Sequence, residues 1–144
     1  MMKVYLLDLG KIGIDKNLML SRAVVADRYN KKKSLEWIEL PVWAVLIVTE
    51  NHKILYDLGC LSDAMDNGWS QMLQDQMPVI RNENQFIEKQ LSLIDLTPKD
   101  IDTVIVSHFH ADHFGGIELF SHCETHHSRR HWRAGGVYSP GLPR

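Results

Sequence analysis

A chain of 144 residues with 44% apolar and 24% charged side chains has the composition of an ordinary soluble domain, long enough to bury roughly 70% of its unfolded surface. Its net charge of −2 says little about partners, but the Lys31–Lys33 run is too small for a nucleic-acid groove, so no nucleic acid is expected. Its longest strongly apolar run (42–48) is far short of the about 20 residues a membrane span needs, and its two cysteines are too few for a disulfide scaffold. No secretory signal follows Lys3, because Asp8 soon interrupts the first apolar stretch, so a cytoplasmic protein with free thiols is the expectation.

In chain order, residues 3–9 read as a strand, mostly apolar with β-branched and aromatic members, which Gly10 and Gly13 then punctuate. Residues 15–40 are less regular, and 27–33 read as an exposed loop whose three lysines are a solvated cluster. Pro41 precedes a β-branched run over 42–49, long enough for a fully buried strand. The break at Glu50-Asn51-His52 and a second strand over 53–57 make a hairpin with His52 at its tip, closed by Gly59. Residues 60–80 are irregular. Ile87, Leu91 and Ile94 lie on one face of a predicted helix over 84–96, which Thr97-Pro98 stops. A strand over 101–106 delivers the chain into His108, the Gly115-Gly116 pair permits a sharp turn, and Ile117 begins a helix or turn. The order strand, hairpin, helix, strand, motif predicts a mixed α/β layout with functional residues at the C-terminal end of a strand.

The segment that carries chemistry is Ser107-His108-Phe109-His110-Ala111-Asp112-His113-Phe114-Gly115-Gly116. Three histidines and an aspartate fall within six residues directly after a buried strand, and imidazole with carboxylate suits zinc and similar first-row divalent ions. Alternate side chains of an extended segment point the same way, so His108 and His110 can grip one ion. As the chain turns, Asp112 and His113 are re-aimed towards a second ion nearby. Two metals about 3.5–4 Å apart can clamp the attacking and leaving oxygens of a substrate.

His108-x-His110-x-Asp112-His113 resembles the signature of the metallo-β-lactamase superfamily, an αββα sandwich that binds one or two metals. More narrowly, Leu40-Pro41-Val42-Trp43, then Ile54-Leu55-Tyr56-Asp57-Leu58-Gly59, then the Ser107 to Gly116 block resemble, in that order, segments of N-acyl homoserine lactone hydrolases, the quorum-quenching lactonases. The resemblance covers about residues 3–124 and implies the N-terminal half of such a sandwich, with His108 and His110 on the first zinc and Asp112 and His113 on the second. It further implies that Asp57 orients ligands from behind the metals, and that a zinc-bound hydroxide attacks a small-molecule lactone while Asp112 relays a proton. Met65, Trp69, Met72 and Met77 either pack under a long loop or line an acyl-chain pocket. Glyoxalase II-like thioesterases share the signature and keep that chemistry open.

After Glu124 the composition changes. All 18 acidic residues and 12 of the 16 lysines and arginines precede Thr125, and the remaining four cations, all Arg, lie in a stretch with no Lys and few aliphatics. Residues 1–124 are therefore expected to form a partial domain, and 125–144 a basic tail, disordered or out of frame. The family's further metal-ligating His and Asp residues have no counterpart apart from the tail histidines, so a non-catalytic metal-binding fragment is the rival expectation. Cys60 and Cys123 read as buried apolar residues rather than nucleophiles, and the sequence says nothing of oligomeric state.

Overall fold

The computed structural model describes residues 1–20, 26–32 and 34–127. Six strands form one mixed sheet: β1 (Lys3–Asp15), β2 (Trp37–Val48), β3 (Lys53–Tyr56), β4 (Val79–Ile80), β5 (Thr103–Val106) and β6 (Glu124–His127), in the order β4-β1-β2-β3-β5-β6. Three short helices join them: α1 (Lys16–Met19), α2 (Gln71–Gln76) and α3 (Ile87–Ser92). β1, β2 and β3 run antiparallel, whereas β3, β5 and β6 are parallel, so the C-terminal ends of the last three strands lie side by side.

β1 runs six residues further than its sequence suggests, because Gly10 bends it instead of ending it. The register slips between Asp8 and Lys11, so that Leu9 and Gly10 face Val42 alone, and Gly10 takes φ +91° at this bulge. Pro41 pairs with Lys11 beside the bulge, where a strand tolerates a missing N–H, and β2 therefore starts before it, at Trp37. The predicted helix over 84–96 is shorter in the structure. A capping box between Asn82 and Gln85 winds a 3-10 turn, Phe86 is extended, and only then does α3 begin. It ends before Thr97-Pro98, because Asp95 adopts φ +58° and Leu96 N–H bonds back to Leu91 O.

One face of the sheet carries the core. Leu7, Ala44, Leu46, Leu55 and Val104 point to it and pack with Ile87 and Leu91 of α3, Phe120 and Trp69. Each leucine wholly withdrawn from water contributes roughly 1.5–3 kcal/mol to folding. Alternation puts Val4, Leu6, Trp43 and Tyr56 on the opposite face, all exposed. Within 60–80, Trp69 is buried and Met77 packs against the core, whereas Met65 and Met72 are exposed. Among the described residues no helix is long and apolar enough to cross a membrane. Of the predicted basic tail, 128–144 lies outside the described residues, as does Lys33 of the predicted loop; Thr125, His126 and His127 belong to β6.

The Gly115-Gly116 pair separates into two roles. A Cβ on Gly115 would sit 2.0 Å from Leu61 N and 2.2 Å from Cys60 C, whereas one on Gly116 would meet nothing nearer than 3.7 Å. Both glycines lie in the turn that Ile117 N–H closes onto Phe114 O, and Gly115 is needed there for close backbone approach. Gly115→Ala is expected to cost at least the ~1–3 kcal/mol typical of overpacking, and Gly116→Ala to stay within about 0.5 kcal/mol of wild type. Equal urea midpoints for the two variants would contradict this reading.

Candidate metal centre

The parallel pairing of β3 and β5 brings Asp57 and Ser107, the residues that follow them, side by side. Asp57 N–H bonds to Ile105 O, and the buried Asp57 carboxylate accepts from Ser107 N–H (2.8 Å) through Oδ1 and from the Ser107 hydroxyl (2.8 Å) through Oδ2. Oδ2 also accepts from His113 Nδ1 at 2.8 Å. To make these bonds Asp57 stands at φ +60°, a left-handed conformation that aspartate tolerates better than most residues.

The loop after β5 is fixed by backbone bonds. His113 N–H closes a turn onto His110 O, Leu58 N–H bonds to His113 O at 2.9 Å, and Gly115 N–H bonds to Gly59 O at 2.8 Å. This brings the four predicted ligands together. The His108 ring lies 4.5 Å from that of His110 and 3.9 Å from that of His113, and His113 Nε2 is 3.3 Å from Asp112 Oδ2. His110 is the exposed member of the group.

Hydrogen bonding sets the tautomers. The ionised Asp57 only accepts, so Nδ1 of His113 carries a proton. The Ser107 hydroxyl donates to Asp57 and accepts, at 2.9 Å, from His108 Nδ1, which leaves the lone pair of neutral His108 on Nε2. Burial lowers the His108 pKa, and the positive potential of His113 and His110 lowers it further, which favours the neutral ring a metal requires. Burial opposes charge on His113 as well, but hydrogen bonds to Asp112 and Asp57 outweigh it and raise its pKa to about 9. Burial likewise pushes both carboxyls up, and the bonds from His113, together with those from Ser107 to Asp57, hold them below the usual range.

The donor set suits a metal. A zinc ion bonded at about 2.0–2.1 Å to a nitrogen and an oxygen at the tetrahedral angle would hold them roughly 3.3 Å apart, and His113 Nε2 and Asp112 Oδ2 stand at that separation, 3.3 Å. Asp57 behind Nδ1 completes a carboxylate–histidine pair of the kind that orients metal ligands. Among the described residues no three His, Cys, Asp or Glu side chains converge as a metal cluster. Ser107, which links Asp57 to His108, had no role assigned from sequence, although its place directly before His108 was a signal. Neither thiol is primed as a nucleophile: burial and the charge of Asp112 push Cys60 up to about 12, and Cys123 Sγ donates to Ile101 O.

Residues 37–143 match the family model of the metallo-beta-lactamase superfamily. Over 120 residues the chain is 38% identical to an N-acyl homoserine lactonase AiiB of Rhizobium rhizogenes and 35% identical to one of Agrobacterium fabrum, each match covering 82% of this chain and 44% of the relative. A solved N-acyl homoserine lactone hydrolase with the product N-hexanoyl-L-homoserine at its catalytic metal center superposes with a TM-score of 0.68 at 27% identity, over 85% of this chain and 47% of that one. The chain thus spans about half the length of the proteins it matches.

These shifts fix the pH dependence of the metal-free protein. The pKa of His113 rises on folding from 6.5 to about 9, so its contribution to stability is complete below 6.5 and disappears as pH climbs through 9. Those of Asp57 and Asp112 fall below 3.8, so their contribution is present above 3.8 and is lost in acid. The urea midpoint is therefore expected to decline as pH climbs from 6.5 through 9. It should also fall in acid as Asp57 and Asp112 protonate and as His108, whose pKa is lowered on folding, is forced to charge. In Asp57→Asn the alkaline decline should shrink; an unchanged slope would remove Asp57 as its cause.

Proposed function

The chain belongs to the metallo-β-lactamase superfamily, and from that premise we propose that its 108–113 loop is the metal-binding part of a hydrolase that opens the ring of N-acyl homoserine lactones. The observation that carries the reading is the line Asp57–His113–Asp112, a buried carboxylate holding one ring nitrogen while the other faces a second carboxylate. The relatives named as lactonases, and the bound product of the solved hydrolase, supply the substrate class.

His108 and His110 would hold one zinc ion, and Asp112 and His113 a second. When bound, the ions would lower the pKa of water and polarise the lactone carbonyl. Asp57 keeps Nδ1 of His113 protonated, so that Nε2 is the nitrogen presented beside Asp112. Asp112, held ionised by its neighbours, would take a proton from the attacking water as its oxygen adds to the carbonyl carbon. Cleavage of the ring C–O bond then gives an alkoxide that takes that proton back, leaving an N-acyl homoserine.

One observation favours a second reading, a metal-binding fragment without turnover: among the described residues no three His, Cys, Asp or Glu side chains converge on one point, whereas a catalytic zinc usually has three protein ligands. The 144-residue chain loaded with zinc and assayed on N-hexanoyl homoserine lactone and on a glutathione thioester separates the readings. Lactone opening is expected, reduced about 10–100-fold in Asp57→Asn and by more than about 100-fold in His108→Ala, His110→Ala or Asp112→Ala. Zinc uptake with no turnover of either substrate selects the fragment, and faster thioester cleavage would move the chemistry to a thioesterase.

A further inference from the structure

Arg81 lies outside the cluster of candidate ligands, but the backbone beneath that cluster is gathered around it. Its guanidinium donates to Cys60 O at 3.2 Å, to Leu61 O and to Ser62 O at 2.7 Å, and it stacks over the Phe86 ring at 4.2 Å. Of the three consecutive carbonyls, Leu61 O also accepts from Ala64 N–H, and a planar fork of five donors is the one side chain that can collect all three together. The fold makes room for it. A Cβ on Gly10 would lie 2.7 Å from Arg81 Cβ, so the glycine bulge of β1 is what lets this side chain stand where it does.

The collected carbonyls belong to the segment on which the ligand loop rests. Gly115 is seated against the backbone of Cys60 and Leu61, its N–H bonds to Gly59 O, and Leu58 N–H bonds to His113 O. Segments 57–62 and 113–115 are therefore one knitted floor, with Asp112 and His113 at its margin. We propose that Arg81 is the positioning residue of the metal loop: by tying Cys60, Leu61 and Ser62 in one arrangement it fixes the floor from which Asp112 and His113 are aimed. The inference rests on reading that loop as metal-binding, and it assigns Arg81 no contact with metal or substrate.

Arg81→Met keeps much of the apolar stem and removes the donors, and Arg81→Lys keeps the charge but not the fork. Amide hydrogen exchange of the metal-free 144-residue chain is the first measurement. Exchange of the Leu58 and Gly115 amides is expected to accelerate at least tenfold in both variants relative to Leu46 and Leu55 in the sheet, with Lys restoring less than half of the lost protection. Titration with Co²⁺, followed by its absorption bands, is the second, and at least tenfold weaker binding is expected in both variants. Uniform acceleration across floor and sheet, full rescue by Lys, or unchanged Co²⁺ affinity would each overturn the proposal. Failure of Arg81→Met to fold would also overturn it, unless Arg81→Lys shows the local loss by itself. Wild-type protein that binds no Co²⁺ would defeat the metal reading, and the exchange data would still decide whether Arg81 holds the floor.

Discussion

The structure depends on a buried carboxylate that accepts three hydrogen bonds. Asp57 joins the end of β3 to the start of the loop after β5 through Ser107, and joins both to the far end of that loop through His113. A carboxylate withdrawn from water is costly unless its oxygens are satisfied, and here burial is outweighed by the donors around it. The same bonds that make the charge tolerable determine which nitrogen of His113 is presented to Asp112. Stability and site geometry are one constraint at this point, and the left-handed backbone of Asp57 is retained because the surrounding bonds require it.

Around that anchor the chain uses glycine for proximity. Gly10 lets β1 bulge against Ile80 and Arg81, and Gly115 lets the His-rich loop lie directly on Cys60 and Leu61. Each allows one backbone to rest on another, so that the ends of parallel strands, the irregular segment after β3 and the His-rich loop share one floor. Ligand sites at the C-terminal ends of parallel strands draw on several segments in this way. Arg81 belongs to the same construction, since its fork gathers three consecutive carbonyls, one of which, Leu61 O, also accepts from Ala64 N–H.

Electrostatically, the site keeps its components in different protonation states within a few ångströms. His108 is held neutral by burial and by neighbouring positive charge, while His113 is held protonated between two carboxylates in the metal-free chain. On the proposed metal-binding reading, a metal entering beside Asp112 would have to displace the proton from His113 Nε2, which would couple affinity to pH through this one ring. The sheet has its own asymmetry: one face is packed, and the other leaves Val4, Leu6, Trp43 and Tyr56 open to solvent.

The sequence by itself determined the parts that rest on local pattern. The β-branched run of β2, the hairpin into β3 and the strand into His108 were all legible, because alternation and residue chemistry are properties of neighbours in the chain. The helix over 84–96 was over-read because periodicity does not reveal that Phe86 is extended beneath the Arg81 guanidinium or that Asp95 turns left-handed. β1 was read too short because Gly10 signals equally a stop or a bulge, and only pairing with β2 decides which. Tertiary structure alone decided that Asp57, fifty residues before Ser107, would hold His113, and that Arg81 would gather the carbonyls of Cys60, Leu61 and Ser62. Those bonds exist because β3 and β5 pair in parallel, and such a pairing across a long crossover leaves no periodic trace in the residues it joins.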